Sequence, residues 1–199
     1  MPPATLPAIF DDAAAAEAFD FRTVTVTGVF RHDLEQLYGA RARSNVLGHH
    51  LLTPLVRDDG PTVLVDRGWV PADKVHPASR PDGQLEGEVT VRGLARYRAA
   101  DRPGPFTPDN DAPAGLWYHY DLDAMAAALG IALSPVVVEA DDTANPGGLP
   151  IGGRTVVTLA NNHLQYAITW YGLAAALIGV YIVFRQQQKR ARMPLENGS

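Results

Sequence analysis

Beyond residue 20 the chain alternates apolar and polar positions with a period of two. Val24, Val26 and Gly28-Val29-Phe30 interleave with threonine, the pattern of a half-buried strand. A second strand is predicted over 46–56 and a third over 62–70, separated by the turn signal Asp58-Asp59-Gly60. Residues 88–97 alternate again through Val89, Val91 and Gly93. Residues 135–140 form a short apolar run, 154–159 an extended segment, and Trp117 to Tyr120 an aromatic strand. One helix is predicted over 121–129, with Asp121 as N-cap and Gly130 at its end. Residues 71–87 and the proline-studded 103–114 read as loops, and 1–20 as a Pro- and Ala-rich linker with a short helix over 11–19. No repeat is visible. The pattern predicts a mainly β (α+β) fold: an antiparallel, barrel-like sheet with one or two short helices, and one C-terminal transmembrane helix.

That last helix is set by residues 164–184, LQYAITWYGLAAALIGVYIVF, which contain no charge. At about 1.5 Å per residue the run reaches about 30 Å, one hydrocarbon thickness. Trp170 and Tyr171 toward one end and Tyr181 toward the other suit interfacial anchoring in membrane lipid. A buried core helix is the alternative, but core helices seldom lack every charge over this length. The predicted division is therefore a linker at 1–20, a β-rich domain at 21–160, a transmembrane helix at 161–185 and a basic tail at 186–199.

Charge adds an orientation. Residues 1–163 carry 13 basic and 21 acidic side chains, whereas 185–199 carry Arg185, Lys189, Arg190 and Arg192 against Glu196. A short basic flank stays cytoplasmic, which places the β-rich domain across the membrane, in the periplasm of a bacterium. Such a domain requires an export signal or a first helix, and residues 1–20 supply neither pattern; either a first helix is expected upstream of Met1, encoded there or removed, or the orientation is the reverse. The acidic domain is a poor phosphate-backbone binder, so nucleic acid is not expected as a partner. Cysteine is absent, which removes disulfides, thiolate metal sites and cysteine nucleophiles.

The six histidines lie at 32, 49, 50, 76, 119 and 163. His49 and His50 are adjacent on a strand and point to opposite faces, so they do not share a metal without a bulge. His119 belongs to an aromatic strand, where packing is the default. The Asp pairs at 11–12, 58–59 and 141–142 read as turn or cap residues. In Arg67-Gly68-Trp69-Val70-Pro71, Trp69 is expected to pack, Gly68 to allow a close backbone approach and Pro71 to end pairing. No hydrolase or nucleotide-binding pattern occurs, and a catalytic role is not expected.

His163 differs from the rest. It follows Asn161 and Asn162, either of which can cap the membrane helix. On a helix, His163, Tyr166, Ala167, Trp170 and Ala174 share one face, an imidazole above small residues flanked by aromatics. A flat macrocycle fits that face with His163 as axial iron ligand and Tyr166 and Trp170 as walls; a histidine resting at headgroup level is the plainer alternative. The opposite side carries Gly172 with Ala176 and Ala175 with Gly179, small pairs that admit a partner helix closely.

Several of these strings resemble the surfeit locus protein 1 family: residues 47–55 (LGHHLLTPL), 63–71 (VLVDRGWVP) and 161–174 (NNHLQYAITWYGLA). Gly28-Val29-Phe30, Trp117-Tyr118 and residues 135–140 fall in the same order. The resemblance implies a two-helix membrane protein bracketing one exported domain. It implies a role in assembling cytochrome c oxidase, in which haem a is bound and helped on its way to oxidase subunit I, with haem a synthase as a further partner. As aligned, the histidine implicated in haem binding corresponds to His163. The resemblance equally admits a cofactor-free scaffold that holds oxidase intermediates. This sequence departs from the family by lacking the first helix, by His49 where a small or apolar residue is usual, and by Asp66 where Asn is frequent. The Ala-rich composition and the lack of an Arg/Ser-rich start point to a bacterial inner membrane.

Overall fold

The computed structural model describes residues 2–98, 104, 106–153 and 163–191, with side chains of the last stretch from 167 to 188. It divides into two compact units, 1–156 and 157–199.

The first unit is built on one eight-stranded sheet. Its strands are β1 (Ala4–Thr5), β2 (Thr23–Phe30), β3 (Gln36–Arg43), β4 (Val46–Val56), β5 (Val63–Pro71), β6 (Glu88–Tyr97), β7 (Leu116–Trp117) and β8 (Val136–Ala140). Their order is β1-β2-β6-β8-β5-β4-β3-β7, and β2 also pairs with the end of β4. That extra pairing, Val29 with Val56 and Phe30 with Leu55, closes β2, β6, β8, β5 and β4 into a ring. Gly28 permits the closure, because a Cβ there would sit 2.3 Å from the Val56 carbonyl oxygen. The mainly β, ring-like architecture is the one the alternation predicts. Most pairs are antiparallel, but β5–β8, β1–β2 and β3–β7 are parallel.

Period-2 alternation sorts the side chains into two cores. Val24, Val26, Phe30, Leu55, Val63, Val65, Val136 and Val138 fill the inside of the ring. Leu52, Leu64 and Val137 point the other way and are covered by Trp117, Tyr120 and the helix α2 (Leu122–Leu129) through Leu122 and Met125. Asp121 caps α2 by accepting from the Ala124 N–H, and Gly130 ends it in the left-handed region. The short N-terminal helix α1 (Ala13–Glu17) is capped by Asp12 and buries Ala16.

β3 is the element that the alternation misses. Its sequence, QLYGARAR, offers few apolar positions and most of its C-terminal half is exposed. It forms because Ser44 and Asn45, both at positive φ, make a two-residue hairpin onto β4. The Asn at a left-handed position was the available signal. Loop 71–87 contains three short 3-10 turns. The expected extended segment 154–159 and the caps Asn161 and Asn162 lie outside the described residues.

The second unit is α3 (His163–Ala191). Its stretch Ala167–Gln188 is long and apolar enough to span a membrane, and none of that span is buried within the chain. The helix continues through the glutamines 186–188 to Ala191, past the apolar run.

Candidate functional site

Two regions hold candidate chemistry, one in each unit. On α3 the helical period places His163, Tyr166, Ala167, Trp170 and Ala174 on one face. The side chains of His163 and Tyr166 lie outside the described residues. Trp170 is 66% exposed, so its indole is available to a ligand or to lipid. Gly172, Ala175, Ala176 and Gly179 fall on the opposite face, all exposed. A Cβ added at Gly172 or Gly179 would meet nothing within 4 Å. Among the described residues no three His, Asp or Glu side chains converge as a metal site.

In the β unit the decisive local feature is a bulge in β5. The β4–β5 register runs Leu51 to Gly68 and then Leu52 to Asp66, leaving Arg67 as the extra residue. Gly68 sits at φ +111°, and a Cβ there would lie 2.1 Å from the Ile151 carbonyl oxygen. The close approach expected at Gly68 is therefore real, and only glycine fits it. Trp69 packs as expected, 5% exposed, with its indole N–H donated to Arg41 O.

Adjacent on β5, Asp66 and Arg67 face opposite sides of the sheet, and the bulge leaves Arg67 without an opposite number on β4. Asp66 turns toward α2, where its carboxylate accepts from the Gly68 N–H at 2.9 Å and from His50 Nδ1 at 2.7 Å. A carboxylate only accepts, so His50 carries its proton on Nδ1. His49 instead places Nδ1 2.6 Å from Gly39 O; the two histidines have separate partners. The His50–Asp66 pair lines a cleft of about 170 Å³ with Tyr38, Arg41, Arg98, Tyr120 and Glu139. Tyr38 and Tyr120 stack with ring centroids 4.5 Å apart. Burial pushes the Tyr120 phenol well above its ordinary pKa, and the charge of Asp66 adds to the effect.

Arg67 turns to the inner side, 2% exposed, and lies over the Phe30 ring at 4.7 Å. It meets Glu35 at 3.3 Å, while Arg80 binds the other oxygen of the same carboxylate. Thr53 donates its hydroxyl to Glu35 Oε1 at 3.2 Å. His32 donates from Nε2 to Leu85 O at 2.9 Å, and its Nδ1 lies 3.4 Å from both Glu35 Oε1 and a terminal nitrogen of Arg67. Burial raises Glu35, but hydrogen bonds from His32 and Arg80 and the charges of both arginines outweigh it and hold the carboxyl at about 2. Burial lowers the Arg67 guanidinium to about 10, with Glu35 opposing the shift and Arg80 adding to it.

Neither the Glu35–Arg67–Arg80 cluster nor the His50–Asp66 pair is identified from the sequence. The signal for both was the adjacent charge pair Asp66-Arg67 inside an otherwise apolar strand, VLVDRGWVP, every residue of which before Pro71 is buried. Charges in such a run require partners.

The bulged Arg-Gly-Trp strand within a ring-like β unit, followed by an apolar helix of membrane length, occurs in a chain whose residues 1–175 match the SURF1 family. The chain belongs to the SURF1 family. It is 40% identical to Surfeit locus protein 1 of Rattus norvegicus over 94% of this chain, and 39% identical to that of Homo sapiens over 87%. A SURF1-like protein of Monosiga brevicollis is 34% identical over 93% of the chain and 73% of that protein. This SURF1-family chain spans 63% of the length of the rat relative and 61% of the human one. Family membership accords with the motifs that carried the resemblance, residues 47–55, 63–71 and 161–174.

Proposed function

We propose that this chain is a membrane-anchored assembly factor for cytochrome c oxidase that binds haem a as cargo and helps deliver it to oxidase subunit I. The observation that carries the reading is the helix face of α3, where His163 stands one and two turns before Ala167 and Trp170 on an apolar, membrane-length helix. The proposed roles are His163 as axial ligand of the haem iron, with Tyr166 and Trp170 as walls beside a flat ring. Small Ala167 and Ala174 leave that face low enough for a macrocycle to lie against it. The cargo is handed over unchanged, so no nucleophile or proton-transfer constellation is needed. The proposed setting is a cell inner membrane, with the β unit in the periplasm and the basic tail in the cytoplasm. Haem a synthase is the proposed donor-side partner.

The test is absorbance of the full-length protein purified after co-expression with haem a synthesis. A co-purifying haem a band shifted from that of free haem a supports the reading. A colourless protein from haem-a-replete cells overturns the cargo role.

A second reading, a cofactor-free scaffold for oxidase intermediates, is favoured by the open glycines. Nothing lies within 4 Å of a Cβ at Gly172 or Gly179, leaving a small-residue face on which another helix packs closely.

A further inference from the structure

The buried cluster around Glu35 is one negative charge short. Two guanidiniums, Arg67 and Arg80, share the single carboxylate of Glu35, and all three side chains are 2–6% exposed. Their remaining partners are neutral: Gly83 O and Asn145 Oδ1 for Arg67, and Lys74 O and Val75 O for Arg80. Both terminal nitrogens of Arg67 are engaged, and its Nε–H has no hydrogen-bond partner among the described residues. An uncompensated cation in this setting is costly unless another anion reaches it.

A cleft leads to that cation. It has a volume of about 160 Å³ and is walled by Phe30, Val65, Val89 and Val91, with Arg67 contributing to its lining and Ala144 beside it. Arg92 and Asp141 also line it and lie 3.5 Å apart, so their charges offset each other and Arg67 supplies the excess. A cavity of about 150 Å³ with apolar walls accepts a benzene-sized group. The size, the apolar walls and the single excess positive charge all describe one kind of ligand.

We infer that this cleft binds a carboxylate carried on a short apolar stem, with Arg67 as the anion-recognising group. The Arg67 Nε–H donates a single charge-assisted hydrogen bond to the carboxylate, and low local dielectric strengthens it. The chemistry fits either a free monocarboxylic acid of benzoate or hexanoate size, or the propionate arm of a porphyrin. The inference does not depend on ligation by His163, since no iron is involved in it.

The experiment uses the full chain in detergent micelles and follows 4-fluorobenzoate by fluorine NMR, with neutral 4-fluorobenzamide as the control. Saturable binding of the acid, at least tenfold tighter than the amide, is expected. Ala144 is exposed at the rim, and Ala144→Trp should weaken acid binding at least tenfold with an unchanged melting midpoint. Arg67→Gln should erase the preference for acid over amide; if that variant does not fold, Ala144→Trp decides. Displacement by metal-free mesoporphyrin but not its dimethyl ester assigns the carboxylate to a porphyrin arm, and displacement by hexanoate alone assigns it to a free acid. Equal affinity for acid and amide, or unchanged affinity in Ala144→Trp, overturns the inference.

Discussion

Glu35 Oε1 lies 3.3 Å from a terminal nitrogen of Arg67, although 32 positions of sequence separate them. The pair joins the turn before β3 to the bulge of β5, and Arg80 adds the loop that follows β5. Three segments are thus locked at one buried point. Breaking a buried pair by removing one member leaves a charge without its partner, which costs about 3–5 kcal/mol. Glu35→Gln should therefore destabilise the chain by about that amount, measured as a lower urea midpoint at pH 7 with an unchanged slope. A loss below about 1 kcal/mol would mean that the cluster contributes little to the fold.

The same carboxylate sets an acid limb. Its folded-state pKa, about 2, lies below its ordinary 4.5. Its contribution is complete above about pH 4.5 and is lost as pH falls toward 2. The shift corresponds to about 3 kcal/mol. Stability of the wild type should decline across that window by more than stability of Glu35→Gln, followed by denaturation at each pH. Parallel curves for the two proteins would refute the linkage.

Gly68→Ala should destabilise by at least about 2 kcal/mol, because the new Cβ collides with the Ile151 carbonyl and the φ of +111° is strained for any other residue. Gly130→Ala is the comparison: it also has positive φ but meets nothing within 4 Å, so it should cost only about 1 kcal/mol. Thermal melts of the two variants separate collision from backbone strain.

His163→Ala should remove most bound haem a while leaving expression and membrane insertion intact. The expected stability change is about 0.5 kcal/mol or less. Haem content and spectrum of the purified variant are the readout, and an unchanged spectrum rules out axial ligation by His163.

Gly172→Leu tests the opposite helix face. A leucine is accepted by lipid but excludes a closely packed helix, so insertion should persist while a partner helix is lost. Pull-down of oxidase subunit I and of haem a synthase, beside a haem assay, reads the result. Loss of partner with haem retained marks two separable surfaces; retention of both removes the support for a scaffold face.

The sequence by itself determined every element whose signal is local. Strands β2 and β6 follow from alternation, β4, β5 and β8 from apolar runs bounded by turn signals, α2 from Asp121 and Gly130, and the membrane-length helix from 21 residues without charge. It also pointed to the family through strings in which residue identity is read directly. Tertiary structure decided what depends on distant partners. β3 is held by its hairpin to β4 rather than by its own pattern, and the ring closes only because Gly28 lets β2 approach Val56. Alternation alone sets Asp66 and Arg67 on opposite faces, but the extra residue that leaves Arg67 without an opposite number is visible only when β4 lies alongside β5. Glu35 and Arg80 carry no local mark of burial; Glu35 is buried where it bridges the inward-facing Arg67 and Arg80, and a buried charge is stabilised only by partners that the folded chain brings to it.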